Sequence, residues 1–316
     1  MKTEVLVLGA GMVGLSAALH LQQRGRGVTI IDRRGAAEET SYGNAGLIQR
    51  EGVVPYMFPR EWNVILRHAL NSSTDSHYHL TALPQLAPWL FRYWRASTPE
   101  GRERSARALF PLVERCITEH EALMEAAGIT GMIRRTGYLR AYRSAEKLEA
   151  ARRDDEADHK SFGIHATVLD QAALSALEPH IRDVFAGAVH MTDPVSVADP
   201  GAVGRAYAEL FVTRGGKLLD GEAKSLETTA TGWRVATRGG WIEAPQVVVA
   251  LGPWSDDITR PLGLKMPLGW KRGYHMHYGT TGNATLGRPL IDMQYGYLIS
   301  PMMRGIRLTT DRKSVV

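Results

Sequence analysis

Three glycines in Gly9-Ala10-Gly11-Met12-Val13-Gly14, followed by an acid at Asp32, are the residues of this chain whose types and spacing point most directly to chemistry. Gly9 lets the chain turn tightly. Gly11 has no side chain, so the backbone can approach a pyrophosphate, and Gly14 allows a helix to pack closely on a strand. A helix that starts here offers free N–H groups and a partial positive charge to an anion. The carboxylate of Asp32 can accept from ribose hydroxyls. The chemistry is dinucleotide binding. The triad does not choose between NAD and FAD. Asp32 argues against NADP, although Arg33 and Arg34 beside it soften that argument.

This chemistry needs a particular scaffold. Glu4-Val-Leu-Val-Leu8 is almost wholly apolar, as suits a central parallel strand buried on both faces. Val13 to Arg24 reads as a helix with the apolar positions Val13, Ala17, Ala18 and Leu21 on one face, ended by Gly25 or Gly27. A second strand, Val28-Thr-Ile-Ile31, stops at Asp32. Strand, triad, helix, strand and acid thus fall in the order that the mechanism requires.

Two further segments favour FAD. Thr40-Ser-Tyr-Gly-Asn-Ala-Gly46 offers hydrogen bonds from Ser41 and Asn44 on small residues that let main chain approach a ligand. Val247-Val-Val-Ala-Leu-Gly-Pro-Trp-Ser255 reads as a late strand that can rejoin the N-terminal sheet and bring Gly252 and Trp254 beside the cofactor. The expected cofactor contacts are Gly9, Ala10, Gly11, Met12, Val13, Gly14, Asp32, Arg33, Ser41, Asn44, Ala45, Gly46, Leu47, Gly252 and Trp254. No metal site is expected.

On these motifs the chain resembles the FAD-dependent D-amino acid oxidase and dehydrogenase superfamily, closest to the bacterial D-amino acid dehydrogenase branch. Ser41 to Gly46 looks like that branch's second flavin-contacting loop, and Val247 to Ser255 like its returning strand. Lys271-Arg-Gly-Tyr-His275 looks like the segment after it, and Asp199-Pro200 and Gly215-Gly216 also sit where the family places them. The resemblance runs from Met1 to about Thr310, judged by motif order. It implies oxidative deamination of a small D-amino acid to a keto acid and ammonia, by hydride transfer to flavin. A quinone or respiratory-chain acceptor is expected in preference to oxygen. A sarcosine- or glycine-type amine oxidase and an inactive truncated dinucleotide-binding fragment are the alternatives. Tyr297, Tyr295 and His275 are the substrate-site candidates. Tyr297 lies in a segment like the family strand that presents a tyrosine to substrate, and core packing explains a strand tyrosine equally well. The family's carboxylate-pairing arginine and its later glycine-rich flavin segment find no counterpart, so the chain reads as C-terminally truncated. Asp311-Arg-Lys-Ser-Val-Val316 back-translates to a common sequencing adapter and reads as a non-native tail.

The expected fold class is α/β, with α+β character in the substrate half. A Rossmann-type FAD domain (1–60 plus 200–260) carries an inserted mixed-sheet substrate domain (61–199 plus 261–310). Thr98-Pro99 can start a long helix that runs to Gly128. Ser144 to Gly163 reads as a charged surface helix, and Asp199 with Pro200 can start one that closes at Gly215. Leu83 to Ser97 interleaves Trp89, Phe91, Tyr93 and Trp94 with Arg92 and Arg95. The expectation is a helix packed on the core; the alternative seats it on a bilayer surface.

At 316 residues the length suits about two domains. With 44% hydrophobic and 22% charged residues, the composition is that of an ordinary globular protein. One cysteine, Cys116, excludes an intrachain disulfide. No run is long and apolar enough for a membrane span, and no secretory signal is apparent. A cytoplasmic location is expected, with peripheral attachment to the inner face of the plasma membrane as the variant. The net charge of +5 is dispersed and no nucleic-acid motif is present, so no nucleic-acid partner is expected.

Overall fold

The computed structural model describes residues 1–70, 72, 80–268 and 273–310. The adapter-like tail 311–316 lies outside the described residues, as do Lys271 and Arg272 of the segment before His275. The chain divides into two compact units. The first comprises Met1–Asn44, Glu121–Thr130 and Asp199–Gly269; the second comprises Ala45–His120, Gly131–Ala198 and Trp270–Val316.

In the first unit four parallel strands stand in the order Gln246–Val249, Val5–Leu8, Val28–Asp32, Lys217–Asp220. Val5, Leu6, Val7 and Leu8 are all essentially solvent-free, which explains their unbroken apolar run. Leu6, Leu8 and Ile31 pack against Val235 and Ile242 of a three-stranded antiparallel sheet. Helices Met12–Gln23 and Pro200–Thr213 pack together. Gln22 donates to the carbonyl of Phe211 at 3.0 Å. A Cβ on Gly204 would lie 2.3 Å from Cβ of Ala37, so only glycine fits there.

The buried face of the first helix differs from the expected stripe. Gly14, Leu15, Ala18 and Leu19 are buried, while Val13 is 71% exposed. The close approach at Gly14 fixes the rotation of the helix, and that rotation turns Val13 towards a cavity.

The second unit is built on a seven-stranded mixed sheet. Its order is His275–Tyr278, Gly305–Thr310, Tyr297–Met302, Leu290–Asp292, Tyr138–Tyr142, Gly187–Met191, Ala166–Asp170. Only the Leu290–Asp292 and Tyr138–Tyr142 pair is parallel. One face carries Tyr138, Tyr142, Val189, Met191, Ile291 and Leu298, packed with Val53, Ala45 and Leu47. The other carries Leu139, Ala141, Ala188 and Leu290, packed with Leu174 and Phe185. Leu47–Ile48 pairs with Val195–Ser196, which draws Ala45 to Ile48 into this unit.

The helix expected from Thr98 to Gly128 is two helices, Pro99–Val113 and Cys116–Ala126. Pro111 lies inside the first of these, and the break falls after it, at Glu114 and Arg115. The helix Leu83–Ala96 has no buried residue, so it is not packed into the core as expected.

Candidate functional site

The three strands Val5–Leu8, Val28–Asp32 and Gln246–Val249 are in register, Leu8 opposite both Ile31 and Val249. Their C-terminal ends therefore meet, and this edge is where open α/β sheets bind ligands. A cavity of about 410 Å³ opens there, wholly within the first unit. Gly9, Gly11, Met12, Val13, Asp32, Arg33, Ser41, Gly252 and Trp254 line it. The sequence placed all nine at a cofactor.

Gly9 has φ +104°, and a Cβ on it would sit 2.5 Å from the carbonyl oxygen of Ala250. A Cβ on Gly14 would sit 1.9 Å from the carbonyl oxygen of Gly9. These two glycines are demanded by packing. Gly11 is different. Its backbone is extended, and the only heavy atom near a hypothetical Cβ is Oγ of Ser41 at 3.3 Å. The space over Gly11 is the part of the cradle that a side chain would fill.

Gly11 is also the N-cap of the first helix and has no side chain to cap it. Ser41 takes over that task, its Oγ accepting from Met12 N at 3.0 Å. A hydroxyl that accepts here keeps its own proton to donate, and the cavity is on that side. Asn44 Nδ2 donates to Ser41 O at 2.7 Å and holds the turn that presents the serine.

Asp32 has more partners than the sequence suggested. Oδ2 accepts from Ala10 N at 2.8 Å, and Oδ1 accepts from Arg34 N at 2.8 Å and Gly35 N at 3.0 Å. A carboxylate offers about four acceptor sites, so one remains for a ribose hydroxyl. Its first task is to fix the glycine loop and the turn after the second strand. Arg33 is held by Glu39 through Nε at 3.2 Å and a terminal nitrogen at 2.9 Å, and lies 4.9 Å over the Trp254 ring. The sequence reading missed Glu39 and the Lys224–Asp257 ion pair at 3.1 Å, both at the cavity wall. Neither belongs to a motif.

Ala45, Gly46 and Leu47 belong to the second unit. Ser300 Oγ donates to Ala45 O at 3.1 Å, and Val197 N donates to Gly46 O at 2.7 Å. Gly46 has φ +72°, and a Cβ there would meet the carbonyl oxygen of Val197 at 2.3 Å.

The substrate-site candidates also lie in the second unit, on different faces of its sheet. Tyr297 shares the parity of Ile299 and belongs to the face of Leu139 and Phe185, opposite to the face that holds Ala45 and Leu47. Its hydroxyl engages Arg143, and burial pushes its phenol above the usual range. Asp292 is solvent-free and accepts from Arg143 Nε at 2.9 Å, Gln294 N at 2.9 Å and Tyr295 N at 3.0 Å. Arg143 lies over the rings of Tyr295 at 4.6 Å and Phe185 at 5.0 Å. His275 lies opposite Thr309, and Thr309 opposite Leu298, so it shares the face of Ala45. Burial, with a smaller contribution from Arg307, lowers its pKa.

That same face carries a group no motif announced. Burial pushes the carboxyl of Glu51 up to about 7, against the pull of its own backbone N–H and the side chains of Tyr138 and Gln49. Arg140, ion-paired with Asp155, adds a smaller downward pull.

A family model described as "DAO: FAD dependent oxidoreductase" matches residues 4–314. The chain belongs to this family. It is 29% identical over 279 residues to a D-amino-acid oxidase of Bradyrhizobium diazoefficiens, covering 86% of this chain and 65% of that protein. It is 30% identical over 321 residues to a D-amino acid dehydrogenase of a Methylobacterium species, covering 96% of this chain and 74% of that protein. Its fold is similar to that of glycine oxidase from Bacillus cereus, with a TM-score of 0.67 at 19% identity over 100% of this chain and 73% of that one. The cofactor of the family is FAD, as the Thr40–Gly46 loop and the returning strand Val247–Ser255 led one to expect.

Proposed function

We propose that this chain holds FAD in the cavity of its first unit and is part of an enzyme that oxidises the C–N bond of a small D-amino acid. The observation that carries the cofactor assignment is the pairing of an open Gly11 with a Ser41 hydroxyl that already caps the helix. Main-chain N–H groups at the start of that helix and the Ser41 O–H would bind the pyrophosphate, and the remaining acceptor site of Asp32 would bind the ribose. Bound FAD would supply the two-electron oxidation that turns the amine into an imine, which water hydrolyses to keto acid and ammonia.

The D-amino acid assignment is supported by the names of the relatives at about 30% identity. The acceptor we propose is a quinone or another respiratory carrier. The test is anaerobic reduction of the FAD-loaded protein by D-alanine, L-alanine, glycine and sarcosine, read as bleaching of the visible flavin band. D-alanine should bleach it and L-alanine should not. Bleaching by glycine or sarcosine alone would replace the substrate class. A flavin that no amine bleaches would leave a dinucleotide-binding protein. Dye reduction without oxygen consumption supports the proposed acceptor; the reverse makes the protein an oxidase.

A further inference from the structure

Two helices of the second unit contain no fully buried residue: Trp62–Ala69 and Leu83–Ala96. In the first, Trp62 and Leu66, with Leu70 just past its end, recur at every fourth position and stand 80%, 60% and 69% exposed. In the second, Pro84, Ala87, Pro88 and Phe91 follow helical spacing along one exposed face, and Phe91 stacks on Trp94 at 6.0 Å. The helices are tied together at one end. The Tyr93 hydroxyl donates to Tyr56 O at 2.7 Å, and Arg60 lies 5.1 Å over the Trp94 ring just before the first helix begins. Inward residues such as Tyr93 make these contacts, and the apolar stripes are left in water. Single exposed apolar residues are ordinary; paired stripes of them mark an interaction surface.

Charge decides what the surface fits. Neither helix contains an acidic residue. Among the described residues from Tyr56 to Ser97, Glu61 is the one carboxylate, against Arg60, Arg67, Arg92 and Arg95. A second copy of this surface would bring like charges together, which opposes self-association. An interface of anionic headgroups over an acyl boundary suits it better: tryptophan, phenylalanine and leucine enter the boundary while guanidinium groups reach the phosphates. We propose that these two helices form a docking surface for a bilayer that carries anionic phospholipid. No helix among the described residues is long and apolar enough to cross a membrane, so the attachment is to the surface. The inference does not depend on which amino acid the enzyme oxidises.

Flotation of the purified chain with phospholipid vesicles tests this. It should float with mixed phosphatidylcholine and phosphatidylglycerol vesicles at low salt, and stay behind with phosphatidylcholine alone. Replacing Arg67, Arg92 or Arg95 by glutamine should weaken partition about fivefold each. The triple variant Trp62→Ser, Leu66→Ser, Phe91→Ser should weaken it at least about tenfold, with the far-ultraviolet circular dichroism unchanged. In the unaltered chain, bromine-labelled lipid should quench tryptophan fluorescence, which keeps the test open if the triple variant fails to fold. The proposal is overturned if the unaltered chain ignores anionic vesicles, if the folded triple variant floats equally well, or if lipid leaves the fluorescence untouched. A dimer in gel filtration that the triple variant splits would overturn it in favour of self-association.

Discussion

Asp32 and Glu51 are both carboxyl groups beside loops given to the cofactor, and the two units treat them in opposite ways. Asp32 stands at the end of a parallel strand, where three main-chain N–H groups converge on it. Glu51 sits in a short 3-10 turn, where burial beside Tyr138 outweighs every group that would favour its charge. Main-chain donors let a carboxylate organise a loop without a partner of opposite charge. A carboxyl buried among phenol and apolar groups instead makes its surroundings sensitive to pH. The first arrangement is a rigid mount, and the second is a titratable joint.

The largest effect is expected where the mount is removed. Asp32→Ala strands three N–H groups at once, and two of those hydrogen bonds are partly buried. At about 1–3 kcal/mol for each unsatisfied donor, and with incomplete additivity, the loss is about 4 kcal/mol of stability. Chemical denaturation of the protein without FAD measures it, and FAD affinity should fall at least about tenfold beyond that. If Asp32→Ala weakened FAD binding while leaving the FAD-free protein equally stable, the residue would be a ribose ligand and not a mount.

Next in size is the joint. The Glu51 carboxyl is raised from 4.5 to about 7, so folding favours its neutral form. The stability this contributes is full below pH 4.5 and is lost as pH rises through 7. The loss amounts to about 3 kcal/mol from the size of the shift. Glu51→Gln should therefore match the unaltered protein near pH 4 and exceed its stability by about 3 kcal/mol at pH 8. Urea titrations at the two pH values check this. A variant less stable than the parent at pH 8 would show that the ionised carboxylate is itself needed.

The two regions also differed in how far the sequence exposed them. Gly9, Gly11, Gly14 and Asp32 lie within one strand-helix-strand unit, so each position follows from local geometry. The same holds for the Thr98 and Asp199 caps, which accept from Gly101 N at 3.0 Å and Ala202 N at 2.9 Å. The rotation of the first helix did not follow, because Val13-Ala17-Leu21 and Leu15-Ala18-Leu19 are both plausible apolar stripes. Packing at Gly14 chose between them. Glu51, Tyr138 and Arg140 come together only through the pairing of distant segments, which leaves no local pattern. The face on which Tyr297 lies depends on strand register, and a slip of one residue would reverse it.

A smaller effect sharpens the description of the mount. Ser41→Ala removes the acceptor for Met12 N, a capping loss of about 1 kcal/mol. It also removes the proton proposed for the pyrophosphate. Melting temperature should fall by a few degrees, about the shift that 1 kcal/mol produces in a domain of this size. FAD should dissociate about tenfold faster, as the loss of one hydrogen bond to a charged group implies. A faster release at unchanged melting temperature would leave Ser41 as a ligand without a capping role.

The smallest effect concerns Tyr297, and it asks whether the second unit uses its far sheet face for chemistry. The Tyr297 hydroxyl engages Arg143, which pairs with the solvent-free Asp292. Tyr295 lies beneath the same guanidinium, and its N–H donates to the same carboxylate. Both tyrosines are thus accounted for by packing around one ion pair. Ser300, one strand position out of phase with Tyr297, is the residue that reaches Ala45. On this arrangement Tyr297→Phe removes the half-buried hydrogen bonds of the hydroxyl to Arg143 and Asp292 and leaves the Arg143–Asp292 pair intact. The expected cost is about 1 kcal/mol of stability, with KM for the amino acid unchanged within about twofold. His275→Ala, on the face that holds Ala45, supplies the contrast. A rise in KM for Tyr297→Phe with no loss of stability would place its hydroxyl on the substrate and make the far face part of the active site. A rise confined to His275→Ala would keep the chemistry on the face that anchors Ala45 and buries Glu51.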